Sequence, residues 1–323
     1  MPTVPLGPTG RRISRIGLGA MPLSTGRRPE RPAALSVVRR AVELDVTFID
    51  TADVYCLGDH EIGHNERLVA EALATTGLRD RVVVATKGGL TRHGESWGRD
   101  GRPEHLRRAC DRSLAALGTD RIDLYQLHGP DPAVPLLESV GALAELQRAG
   151  KIAAIGLSNV TVRQLGEAQA LVTVTSVQNV FNPWWARSWE TRRMIAACAR
   201  QAITFLPYSP LGGSRQVSAL RASEPLRRIA ASLQCSPEAL VLAWILSRCP
   251  TLCAIPGASR TASIESSAGA ATLELDAPTA AAVQRAFAAL PGQATLGRRV
   301  LARLRSTARG PVDALRRRLR GRG

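Results

Sequence analysis

The chain has 323 residues, of which 45% are apolar, enough for one large α/β barrel or two ordinary domains and too many for a globally disordered protein. No apolar run approaches the roughly 20 residues of a membrane span, and "MPTVPLGPTGRR" lacks a signal-peptide core, so a cytoplasmic protein is expected. The formal charge of +16 is concentrated in residues 293–323, where ten Arg face one Asp, so +9 of it is a tail property and the body is only mildly basic.

In chain order, "TVPLGPTGRRISRIG" reads as a β-hairpin about the Pro8–Gly10 turn. Eight strand–helix units follow. "RIGLGAM" precedes "PAALSVVRRAVEL", "VTFID" precedes "NERLVAEALATTG", and "RVVVATK" precedes "PEHLRRACDRSLAALG", whose apolar residues recur every three and four positions before a Gly stop. "RIDLYQLH", "KIAAIGLSN", "VTSVQNV", "AITFLPYS" and "TLCAIPG" continue the alternation. The strands are short and apolar on both faces, as buried parallel strands are. Eight such units in about 250 residues predict a closed (β/α)8 TIM barrel with an N-terminal hairpin, over residues 1–292, and a separate Arg-rich tail, 293–323. A doubly wound sheet is the alternative, but no Gly-x-Gly-x-x-Gly turn follows the first strand. Residues 88–103, 129–135, 182–189 and 211–224 read as loops, the first carrying Trp97 and the third Trp184 and Trp185.

The six cysteines are scattered, which fits reduced thiols and no zinc site. His60 and His64 are four apart, but Gly63 between them and an Asn65 helix cap argue for a loop and against a metal pair; His93 and His105 read as surface residues. Among 43 basic residues only Lys87 and Lys151 are lysine. In a chain that writes almost every cation as Arg, a lysine marks a site where guanidinium chemistry does not serve. Lys151 opens a strand after a solvated turn, whereas Lys87 ends a buried one.

In a barrel, chemistry gathers where strands end. Asp50, Lys87 and His128 stand at the tips of the second, third and fourth strands, with Tyr55 in the loop after Asp50. A phenol with a pKa of about 10 is a poor acid at neutrality. A neighbouring ammonium favours its phenolate and lowers that pKa, a carboxylate anchors the ammonium, and an imidazole orients a substrate oxygen. Each residue alone is more often structural; their joint placement on three consecutive strand ends favours a catalytic device.

"FIDTADVY", "VVVATK" and "LYQLH" resemble three signature segments of the aldo-keto reductase superfamily, a family of (β/α)8 barrels that reduce carbonyls with a nicotinamide cofactor. The likeness covers residues 13 to about 290. It implies that Tyr55 is the general acid, Lys87 its tuner, Asp50 the partner of the lysine, and His128 the group orienting a small-molecule carbonyl substrate. It implies further that Ser158, Asn159 and Gln178 hold the nicotinamide carboxamide, that Tyr208 stacks on the ring, and that Ser209, Pro210 and Leu211 cover the pyrophosphate. The family's usual "IPKS…R…EN" reads here "IPGASRTASIESS", so Gly257, Ser259 and Arg260 are the residues left for the adenosine phosphate. NADPH is the expected cofactor, with NADH as the alternative. The alternatives to carbonyl reduction are alcohol or sugar oxidation in reverse and a non-catalytic, cofactor-sensing subunit. For the tail, the sharper expectations are an acidic partner or a cap over an anionic substrate; nucleic-acid binding through it is the different-class alternative and is not favoured.

Overall fold

The computed structural model describes residues 1–292; the basic tail, 293–323, lies outside the described residues. The expected hairpin forms from β1 (Thr3–Pro5) and β2 (Arg12–Ser14), antiparallel with Val4 opposite Ile13. Seven parallel strands then build one curled sheet: β3 (Leu18–Gly19), β4 (Phe48–Asp50), β5 (Val83–Gly88), β8 (Leu124–Leu127), β9 (Ile155–Ser158), β10 (Val174–Gln178) and β11 (Thr204–Phe205). Between β5 and β8 a second hairpin intervenes, β6 (Leu90–His93) against β7 (Ser96–Arg99).

The eighth stave is the segment around Leu252–Gly257, which pairs Leu252 with Phe205 and Ile255 with Tyr208 on one side, and Ala254 with Ile16 and Gly257 with Gly19 on the other. Closure depends on a bare backbone at Gly19, where an added Cβ would lie 2.9 Å from the Ile255 carbonyl oxygen. Val4, Leu6 and Ile13 of the hairpin pack with Phe48, Val83, Leu124, Ala154 and Leu206, and so plug the barrel at the N-terminal ends of its strands.

Helices α1 (Arg31–Glu43), α2 (His64–Ala74), α3 (Pro103–Leu117), α4 (Leu136–Arg148), α5 (Val162–Gln169), α6 (Trp189–Arg200), α7 (Ser214–Ala222), α8 (Glu224–Ser232), α9 (Pro237–Leu246), α10 (Thr261–Gly269) and α11 (Ala277–Ala286) cover the outside. The spacing read for α3 holds: Leu106, Ala109, Cys110, Ser113 and Leu117 are buried, and Gly118, with φ of 62°, ends the helix in the left-handed region. No single described helix is long and apolar enough to cross a membrane.

The structure departs from the expectations in four places. Residues 88–103 are largely the β6–β7 hairpin, and 211–224 contain α7; its Gly212–Gly213 entry hides a helix that buries little beyond Leu220. Asn65 is not a cap: Gly63, with φ of 82°, is the N-cap, and the Asn65 amide lies inside the first turn, donating to Ala20 O and Ser24 Oγ. His105 is turned inward, 3.5 Å from Asp100, because α3 packs its N-terminal turn against the loop. All six cysteines are free thiols, five of them buried.

Candidate active site

Parallel pairing sets Asp50 opposite Ala85 and Lys87 opposite Gln126, so the C-terminal ends of β4, β5 and β8 rise together into one rim. His128 follows directly, its amide held by the Gly88 carbonyl at 2.9 Å. The three strand-end groups and Tyr55 therefore meet. Lys87 is fully buried, and its Nζ donates to Asp50 Oδ2 at 2.7 Å, to the Thr51 carbonyl at 2.7 Å and to Tyr55 Oη at 3.1 Å. All three ammonium donors are thus used, which is the condition for carrying a charge out of water.

Burial pulls the Lys87 pKa down, but Asp50 and Tyr55 outweigh it and leave it above the ordinary lysine value. For Tyr55 the balance differs from the simple expectation. Lys87 does lower its pKa, yet burial acts more strongly and the net shift is upward, because the phenol is itself 7% exposed. Tyr55 is thus protonated at neutrality. His128 lies edge-on to it, ring centroids 5.7 Å apart at 79°. Burial, then the charges of Lys87 and Arg99, hold the His128 pKa well below the usual imidazole value, so the ring is neutral. Its Nδ1 is buried without a partner.

Asp50 has more support than the sequence reading supplied. Its other oxygen, Oδ1, accepts from Gln178 Nε2 at 2.7 Å and from Gln126 Nε2 at 3.3 Å. Gln178 is therefore a partner of the carboxylate in this structure, and Gln126, an inward residue of "LYQLH", was missed. Alternation along β8 is the signal that could have found it.

Beside this rim, Asn159 adopts φ of 59° and donates through Nδ2 to the His128 carbonyl at 2.9 Å and to Ser158 Oγ at 3.0 Å. Tyr208 Oη donates to Asn159 Oδ1 at 2.9 Å, and burial pushes its pKa up to about 12. Ser158, Asn159 and Tyr208 thus form one shelf next to Tyr55 and His128. Ser209, with φ of 47°, Pro210 and Leu211 lead from it into Gly212 and Gly213, both at positive φ. Gly257 lies on the far side of the rim, and an added Cβ would meet Pro22 Cγ at 2.8 Å, so a longer side chain has no room there without moving Pro22. Ser259 and Arg260 stand at the start of α10, where Arg260 is exposed and its guanidinium makes no ion pair among the described residues. A phosphate-bearing dinucleotide fits that chemistry: an unengaged guanidinium beside the start of a helix. Ser266 Oγ is bonded to Ser236 Oγ at 2.9 Å, and Ser267 is buried in the core face of α10.

The β6–β7 hairpin adds a wall to this mouth. Trp97, 44% exposed, stands edge-on to Tyr55 with centroids 6.5 Å apart, while Trp184 bonds Pro291 O through Nε1 and packs against the core.

A family model described as the aldo/keto reductase family matches residues 15–287. Pyridoxine 4-dehydrogenase of Escherichia coli is 35% identical over 277 residues, 82% of this chain and 92% of its own length. An uncharacterized oxidoreductase of Schizosaccharomyces pombe is 34% identical over 269 residues, 81% of this chain and 83% of its own. Among solved structures, a thermostable aldo-keto reductase superimposes with a TM-score of 0.73 at 26% identity, spanning 88% of this chain and all of that one. With a barrel of this topology and a family match over most of its length, the chain belongs to the aldo/keto reductase family, the NAD(P)H-dependent oxidoreductases of carbonyl and CH–OH groups.

Proposed function

We propose that this enzyme reduces an aldehyde or ketone with NADPH, and that Tyr55 Oη gives the proton. The observation that carries the reading is the ammonium of Lys87, 3.1 Å from the phenol oxygen and 2.7 Å from Asp50. A tyrosine kept protonated by burial is a proton donor at neutral pH, and the phenolate it becomes is stabilised by the adjacent cation. Lys87 therefore acts on the product of the proton transfer more than on the resting phenol. The neutral imidazole of His128 donates one hydrogen bond to the substrate oxygen and so fixes it within reach of Tyr55.

NADPH supplies the hydride when bound. Ser158, Asn159 and Tyr208 are the groups assigned to its nicotinamide end, Ser209, Pro210 and Leu211 to the pyrophosphate, and Gly257, Ser259 and Arg260 to the adenosine phosphate. Gln178, assigned to the same nicotinamide end, already gives an amide N–H to Asp50. The unpaired Arg260 at the helix start favours NADPH over NADH. The raised Tyr55 pKa supports reduction as the working direction near neutrality, because reduction consumes the protonated phenol; the same groups run alcohol oxidation in alkaline solution.

The test is Tyr55→Phe. Carbonyl reduction falls by about a thousandfold or more, the scale of a lost general acid, while a fluorescence titration returns NADPH affinity close to wild type. Retained turnover, or equal loss of turnover and cofactor binding, contradicts the assignment.

A further inference from the structure

The β6–β7 hairpin is anchored to the catalytic loop. Arg92, 8% exposed, donates through Nη2 to the carbonyls of Cys56 at 3.0 Å and Leu57 at 2.6 Å, and through Nη1 to Glu95 O at 3.0 Å. Its guanidinium also lies 4.5 Å from the centroid of Trp97. Leu90 packs on Ala52, Val54 and Tyr55. The hairpin is thus a fixed wall above Tyr55, and β7 presents residues 97 and 99 on one face, about 6.6 Å apart along the strand.

Trp97 meets Tyr55 edge-on. Two residues further, Arg99 faces the other half of the mouth. Gly129 lies between it and the Asn159 shelf: a Cβ built there would be 3.8 Å from Arg99 Nη1 and 3.7 Å from Asn159 Cβ.

Arg99 shares an outer cavity with Asp100, Asp131 and Glu138 but has no ion pair with any of them among the described residues. Asp100 is held by Arg102, Nε at 2.9 Å and Nη2 at 2.6 Å, and stands 3.5 Å from His105. Asp131 caps the amides of Gly101 at 3.0 Å and Ala133 at 2.9 Å. Lys87 is matched by Asp50. Arg99 itself donates through Nη1 to the neutral Pro130 carbonyl and makes no ion pair among the described residues, so most of its five N–H donors are uncommitted. Its field is felt inside the mouth, where it lowers the pKa values of both His128 and Tyr208.

We propose that Arg99 determines specificity for carbonyl compounds that carry a carboxylate, its guanidinium taking the anion while the aromatic edge of Trp97 flanks the body of the substrate and the carbonyl oxygen rests at Tyr55 and His128. The planar fork matches a carboxylate with two parallel hydrogen bonds. This inference rests on the reading of Tyr55 as the acid and narrows it to a substrate class.

The experiment compares 4-carboxybenzaldehyde with its neutral methyl ester, methyl 4-formylbenzoate, as substrates for NADPH oxidation by the full chain. Wild type prefers the acid by about tenfold or more in kcat/KM, mainly through KM, and the preference shrinks in about 0.5 M salt. Arg99→Leu lowers kcat/KM for the acid by about 30-fold and leaves the ester within about threefold, while Arg99→Lys restores part of the loss. If Arg99 merely ties β7 to Pro130, Arg99→Leu weakens both substrates alike; that result, or a wild-type preference for the ester, overturns the proposal and leaves carbonyl reduction standing. Turnover of neither aldehyde by wild type overturns the reduction reading and this inference with it.

Discussion

Asp50 and Asp53 sit three residues apart at the head of the same loop and are equally buried, 3% and 1% exposed, yet they are opposite in character. Asp50 has a lysine at 2.7 Å and two amides on its second oxygen. Neither oxygen of Asp53 has a side-chain hydrogen-bond partner, and the nearest cation, Arg112, is 4.0 Å away with its own side chain 47% exposed. Burial and the neighbouring Glu66 carry the Asp53 pKa well above the carboxylate range, and Glu66 is raised too, first by burial. Tyr125 completes the group, its buried hydroxyl unpartnered and its pKa pushed far up. Burial alone does not decide what an acid does; the donors aimed at it do. Asp50 holds a cation at the active site, whereas burial disfavours the charged form of Asp53 behind it.

The sharpest way to break the comparison is Asp50→Asn, which leaves Lys87 buried without its counter-charge. It costs about 3–5 kcal/mol in urea denaturation, and turnover falls with it; a loss near zero means the pair is not load-carrying. Gln178→Met removes one amide from Asp50 and costs about 2 kcal/mol, the scale of a hydrogen bond to a charged group, with NADPH affinity changing less than stability. A drop in cofactor affinity with unchanged stability instead returns Gln178 to the nicotinamide. Asp53→Asn has the reverse sign. It raises stability at neutral pH by about 1 kcal/mol and leaves turnover within a few-fold, since no proton need be retained on a buried acid.

The sign over pH follows from the raised folded-state pKa. Above the ordinary carboxyl range the unfolded chain releases its proton while the folded chain keeps it, so native stability declines as pH rises through that window. The advantage of Asp53→Asn over wild type therefore grows from acid toward neutral pH and vanishes near about pH 3–4. A constant gap across that range contradicts a protonated Asp53.

How much of this was legible depends on how far each contact reaches. The barrel showed in local patterns, eight apolar strands and amphipathic helices ending at glycines, and the meeting of Asp50, Lys87, His128 and Tyr55 follows once adjacent strands are in register. The amide on Asp50 was hidden because Gln178 arrives from 128 residues away, on the opposite wall of the barrel. The β6–β7 hairpin was hidden because "LTRHGESWGR" is mostly polar and its order comes from Arg92 bonding the carbonyls of another loop. Nothing in the sequence around Asp53 says that α2 and α3 close over it, bringing Glu66 and Arg112 to its side. The direction of the Tyr55 shift also depended on burial, which a motif does not report.

The central claim is that the charge of Lys87 belongs to Tyr55, and the three tyrosines of the chain allow it to be read directly. With the tyrosine ζ-carbons labelled with carbon-13, one NMR signal should titrate below the other two in the folded protein, vanish in Tyr55→Phe, and move upward in Lys87→Met. A first-titrating signal that survives Tyr55→Phe, or that keeps its pKa when Lys87 is replaced, contradicts the account.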